Sequence, residues 1–288
     1  MPRDQDVAPM TPLPFRQRCA TPDCGIRSHA AVEAPLSAVA ALRDAPPPAG
    51  GPPLPPRFLR HCDEQTVVAI RAVQEAVSRL PEPLPLDRCG VVAAPCQAGR
   101  ITTARSLAQL RVGGAVTVSP HIVPQCSLHS LAGAVSVALG MHGPHLGIGG
   151  GPDALAEGLF AAMTLFHGGA AAGCDAVWLL ASEWDTEPVL DPSGTPLNDP
   201  ICRAVALLLV PDSEGSQDRL TLTLHVTGSA PEAAEQTSLA EFCRVVEMCA
   251  AGSALTAWGV SCPWGMEVRL GARVPVVRMP SPRRREAA

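Results

Sequence analysis

Apolar positions recur at intervals of three and four from Asp63 onward: Val67, Ile70, Val73, Val77 and Leu80 predict a helix that Pro81 stops. Asp63 and Glu64 stand where they favour the positive end of its dipole. Cys89 to Ala94 is a short continuous apolar run before a proline, the pattern of a parallel strand buried on both faces. Thr103 to Leu110 reads as a short helix, and Leu128 to Leu139 as an apolar, small-residue helix closed by Gly140 and Gly143. Leu146 to Ile148 is a brief strand running into Gly149, Gly150, Gly151 and Pro152, and Asp153 can cap the helix that follows through Phe166. Strand patterns follow at Ala176 to Ala181, Ala204 to Val210 and Leu220 to Val226, then a helix over Leu239 to Ala250 and a strand at Glu267 to Leu270. This alternation predicts an α/β layer: a mostly parallel mixed sheet covered by helices.

The pattern is weakest at the amino terminus. Pro46, Pro47, Pro48, Gly50, Gly51, Pro52, Pro53, Pro55 and Pro56 favour coil, and only Ala31 to Arg43 has helical spacing there. Residues 1–56 are therefore expected to be a Pro-rich, largely disordered extension, 57–275 the folded domain and 276–288 a basic, flexible tail. With 288 residues, 47% apolar and 17% charged, the chain is long enough for one large core. A net charge of −5 with no dense basic stripe argues against nucleic acid, and no uninterrupted apolar span argues against a membrane. Eleven scattered cysteines and the lack of a signal-peptide pattern fit a reducing cytoplasm.

Val118 to Pro124, followed by Leu128, His129, Ala132, Gly133, Val135, Ser136, Leu139, Gly140, Gly143 and Pro144, resembles the β-ketoacyl synthases of the thiolase-like superfamily. Ser119, Pro120, Pro124, His129, Gly133, Gly140, Gly143 and Pro144 occupy that family's motif positions. Asp175 to Glu183 is similar to a family strand held between two acidic residues, although Leu180 and Ala181 stand where glycines are usual. Asp87 to Ala94 resembles another of its strands. The likeness runs from about His61 to Val210, roughly half of the chain. It implies a thiolase-like half-fold, truncated because too few residues remain for the second half-domain.

In that family the motif leads through a strand and a sharp turn to a nucleophilic cysteine at the start of a helix, where exposure and the helix dipole lower the thiol pKa. Gly149, Gly150, Gly151, Pro152 and Asp153 stand at that turn here, and no cysteine lies between Cys126 and Cys174. The family's two decarboxylation histidines come from its second half, where this chain offers only His225. The resemblance therefore implies a degenerate, catalytically inactive protein of the chain-length-factor kind. Its expected partners are an active β-ketoacyl synthase subunit and, further, an acyl carrier protein, in fatty-acid or polyketide-type biosynthesis. In the family the strand before the nucleophile pairs with its counterpart across a two-fold, which puts Leu146 and Ile148 at the expected interface.

Other chemistries find less support. The glycines from Gly147 to Gly151 lack the Lys-Ser/Thr of a phosphate loop, and Pro152 spoils a dinucleotide fingerprint, so a collapsed turn is preferred. His142 and His145 have no further ligand nearby, and Cys19 and Cys24 lack a second pair, so neither a metal nor a cofactor is expected. Cys243 and Cys249 point to packing, and Ser182 with Glu183 shows no hydrolase elbow. Two alternatives stay open: a thioester-acting enzyme with a non-cysteine site, involving Asp153 or His129, and a stand-alone binding or scaffold module.

Overall fold

The computed structural model describes residues 23–167, 174–211, 220–227, 237–252, 258–262 and 264–272. Cys19, the side chain of His167 and the Arg283 to Arg285 tail lie outside them. Among the described residues, eight strands form one sheet. Second from one edge is β2 (Cys89–Pro95), buried along its whole length, with the edge strand β3 (His145–Gly147) on one side and β4 (Ala176–Trp184) on the other. Both neighbours run parallel to β2. Beyond β4 come β5 (Ile201–Pro211), β1 (Asp23–Pro35), β6 (Leu220–Val226), β8 (Met266–Ala272) and the edge strand β7 (Trp258–Cys262).

The sheet is mixed, and its balance differs from the expectation of mostly parallel pairing. Parallel pairing is confined to β3, β2 and β4, whereas the other five pairings are antiparallel. The connections explain this. A parallel return needs a long crossover, usually a helix, but residues 185–200 between β4 and β5 form a helix-free loop held by Asp185, Asp191 and Asn198, and β7 turns into β8 within a few residues.

A second difference concerns the amino-terminal stretch. Coil was expected there, yet β1 lies inside the sheet, pairing with β5 over Cys24 to Pro35 and with β6 over its first four residues. Its segment DCGIRSHAAVEAP is poor in β-branched residues, so local propensity does not announce it. The strand is held by pairing and by burial of Cys24, Ile26 and Ala30. Helical spacing over Ala31 to Arg43 is realised only after Pro35, as α1 (Leu36–Asp44).

Helices cover both faces. On one lie α1, α5 (His129–Leu139) and α2 (Glu64–Ser78), the last packed against β1, β5 and β4 and buried almost all round. Asp63 caps α2: its carboxylate accepts from the Thr66 amide at 3.0 Å and from the Gly99 amide at 3.2 Å, so its oxygens are satisfied although the residue is buried. Burial still pushes its pKa up, against those hydrogen bonds. On the other face α6 (Ala154–His167) and α7 (Leu239–Ala250) share a core with the inner residues of β6, β7 and β8. Thus α6 is gripped from two sides, by β2 and β4 beneath and by β7 and β8 beyond. Short α3 (Arg100–Gly113) and α4 (Ile122–Cys126) lie between β2 and α5 in sequence. No helix among the described residues is long and apolar enough to cross a membrane.

Candidate functional site

The turn between β3 and α6 sits where the parallel strands β3, β2 and β4 end. Open α/β sheets place ligand sites at such carboxyl ends. Ile148 donates its amide to the Ala93 carbonyl at 2.8 Å, and Gln97 donates to the Gly150 carbonyl at 3.2 Å, so the turn is fastened to the end of β2. Gly149 and Gly150 have φ of +86° and +99°, conformations that side chains rarely adopt. A Cβ on Gly150 would also lie 2.9 Å from Leu128 Cδ2. Glycine is needed here for backbone geometry, with no appeal to phosphate. The Glu157 amide donates to the Asp153 backbone carbonyl at 3.0 Å, and Pro152 is exposed.

The fold brings two cysteines to this turn from elsewhere in the chain. Cys96 follows β2 directly and forms a parallel bridge with Gly150, its amide donating to the Ser182 carbonyl at 2.7 Å. Cys262, at the end of β7, reaches the first turn of α6, its Sγ 3.9 Å from the Ala156 carbonyl. Neither carries the signature of an activated thiol. Burial, and then the Glu183 charge, push the Cys96 pKa up. Burial with the Asp153 and Glu157 carboxylates raises Cys262 to about 11, so it stays protonated at neutral pH despite its place at a helix start. Neither was singled out from the sequence: Cys96 lies two residues past the strand expected over Cys89 to Ala94, and Cys262 is brought here only by the closure of β7 over α6.

Two imidazoles do lie together: the rings of His129 and His145 have centroids 5.0 Å apart. They flank the outer edge of the sheet, both exposed, and His145 Nδ1 lies 3.4 Å from the Gly143 carbonyl oxygen. Neither ring has a hydrogen bond to a thiol among the described residues, which also include no group of three or more His, Cys, Asp or Glu able to hold a metal.

The remaining motif residues fall at two ends of the layer. Gly140 closes α5 with φ of +64°. A Cβ on Gly143 would sit 2.6 Å from both the Cys89 carbonyl oxygen and Cys174 Sγ, and the Pro144 carbonyl accepts from the Val91 amide at 2.8 Å. These residues pack the loop before β3 onto β2. Asp175 lies just before β4, exposed, with Arg88 Nε at 2.7 Å and Nη2 at 2.8 Å. Ser119 accepts from the His121 amide in the turn holding Pro120, Pro124 lies in α4, and Gly133 faces the His129 ring. None of these side chains reaches the β3–α6 turn.

Glu183 does lie at the carboxyl end of β4, where it accepts from the Leu239 amide at 2.9 Å and so caps α7. Burial raises its pKa more than the amides and Arg203 lower it. A carboxyl whose folded pKa exceeds its unfolded one contributes stability that is present in full below the unfolded pKa and lost as pH rises through the folded value. Glu183→Gln, neutral at every pH, is therefore expected to be tolerated better, relative to the wild type, at neutral pH than below the ordinary glutamate range. Denaturant unfolding at the two pH values checks this, and a mutational cost that grows toward neutral pH contradicts it.

No family model matches the chain, and no curated protein matches it. Among solved structures it is similar to the ishigamide ketosynthase/chain length factor, with 18% identity, a TM-score of 0.44, and 71% of this chain and 68% of that one covered. It is also similar to a type II polyketide synthase acyl-carrier protein in complex with its ketosynthase, with 16% identity, a TM-score of 0.48, and coverage of 72% and 70%. A β-ketoacyl synthase from Burkholderia phymatum STM815 is similar at 13% identity and a TM-score of 0.47, with coverage of 81% and 70%.

Proposed function

We propose that this chain is a non-catalytic, chain-length-factor-like subunit that pairs with an active β-ketoacyl synthase in fatty-acid or polyketide-type biosynthesis, with an acyl carrier protein as the further partner. The observation that carries the reading is the conjunction at the end of β3. Among the described residues the strand ends the sheet with its outer edge unpaired, and the turn that follows it carries glycines, Pro152 and Asp153 where the resembled family needs a thiolate.

An open edge strand presents a row of amide and carbonyl groups to another chain. Of the exposed apolar side chains, Leu146 lies on this strand and Val137 on α5, the helix packed beside it. Isologous pairing of one β3 with its counterpart would use this edge on both partners. Ile148 supports the arrangement differently from Leu146, since it turns inward against the α6 core and holds the end of the strand down.

Co-expression with a full-length ketosynthase from the same genome tests the proposal. A complex that co-elutes on gel filtration at the mass of a mixed dimer is expected. Persistent separate elution under co-expression overturns the pairing.

A further inference from the structure

A concave region lies away from the β3–α6 turn. It is a cleft of about 710 Å³ between the end of α1, the proline-rich loop after it and the 3-10 turn at Phe58–His61. Arg43, Arg57, Arg60 and Arg71 line it against a single carboxylate, Asp44, in a chain whose net charge is −5. Two of these arginines build the floor. Arg71 is only 7% exposed, and its guanidinium donates to the Leu42 carbonyl at 2.6 and 3.0 Å, to the Ala45 carbonyl at 2.6 Å and to Gln74 Oε1 at 2.8 Å. Its charge is thus met by dipoles at the end of α1, with no carboxylate among its partners. Arg43 donates to the Leu59 and Cys62 carbonyls, with Glu64 3.9 Å away.

Arg57 and Arg60 are exposed at the mouth, and their guanidinium groups make no hydrogen bond or ion pair with any described residue; the Arg60 amide donates to the Arg57 carbonyl. Arg57 stands in the left-handed region, φ +62°, at the start of the 3-10 turn, which fixes where its side chain leaves the backbone. Leu54, Phe58 and Pro47 supply apolar wall. Concave shape, apolar wall and a few convergent charged groups are the marks of a small-molecule site. Guanidinium groups match the oxygens of phosphate in a planar, two-pronged fashion.

We propose that this cleft binds a phosphorylated small molecule, with its phosphate at Arg57 and Arg60 above the buried charge of Arg71 and its apolar portion against Leu54 and Phe58. The site is separate from the pairing proposed for β3 and stands or falls without it. The sequence hides it, because residues 43, 57, 60 and 71 form no basic run.

Isothermal titration of the full chain with inorganic pyrophosphate and with adenosine 5′-diphosphate tests the assignment. One-to-one binding is expected for both, tighter for the nucleotide and weakening with salt. The double variant Arg57→Gly with Arg60→Ala, in which glycine keeps the left-handed backbone, is expected to bind at least about tenfold more weakly, the loss of one charge-assisted hydrogen bond or more. Its melting temperature should be unchanged. Absence of binding overturns the proposal, as does unchanged affinity in the variant, which would assign the anion to other arginines such as Arg283 to Arg285. Tighter binding of an oligoglutamate peptide than of either phosphate compound also overturns it.

Discussion

Leu146→Arg is expected to abolish co-elution with a ketosynthase while leaving the isolated chain folded. Leu146 is 39% exposed, on a strand whose inner edge is already bonded to β2 through His145, Leu146 and Gly147. An arginine there can turn to water in the isolated chain. In an edge-to-edge pairing it meets its neighbour across the partner strand and leaves a charge unpaired in a desolvated seam. Such a charge costs about 2–5 kcal/mol, which lowers affinity by at least about thirtyfold. Leu107→Arg on α3, also exposed, serves as the control for added charge away from the edge. Gel filtration of the two co-expressed pairs separates the outcomes. Equal complex yields from both would contradict β3 as the seam, and loss of folded protein in Leu146→Arg alone would contradict its surface role.

The largest effect on stability is expected at Trp178. It is fully buried in β4, the strand that joins the parallel to the antiparallel part of the sheet, and it packs in the core beneath α2. Trp178→Ala removes the largest fully buried side chain from a site whose neighbours are strands fixed on both edges, so the cavity cannot collapse. About 3–5 kcal/mol of destabilisation is expected. For a chain of this size that is a fall in melting temperature of roughly 2–4 °C per kcal/mol. A loss below about 1 kcal/mol, the scale of an ordinary surface change, would mean that this face of the sheet is not packed as described.

Much of the layer was legible because its elements are strongly patterned. The helix after Asp63, the buried run at Cys89, the helix over Leu239 to Ala250 and the glycine-rich turn at Gly149 all stand where periodicity and punctuation put them. β1 was hidden because alanine, serine and histidine say nothing local about a strand that exists through its pairing with β5. The balance of strand directions was hidden too, since it depends on whether a connection has room for a helix. At the site, the turn's lack of a thiol can be read from sequence alone. The approach of Cys96 and Cys262 cannot, because it comes from the ends of two strands meeting over one helix. Gly158 shows the same limit: it reads as an ordinary helix residue, yet a Cβ there would lie 2.5 Å from Ala94 Cβ, so it is what lets α6 lie flat on β2.

These two thiols also give the account its sharpest test. The full chain is incubated with an acyl-coenzyme A thioester and mapped by peptide mass spectrometry, with the isolated ketosynthase as the positive control. Both cysteines should remain unacylated when the control is fully charged, since burial and neighbouring carboxylates hold them as thiols. Stoichiometric acyl transfer to Cys96 or Cys262 would contradict a silent turn and make this chain an enzyme in its own right.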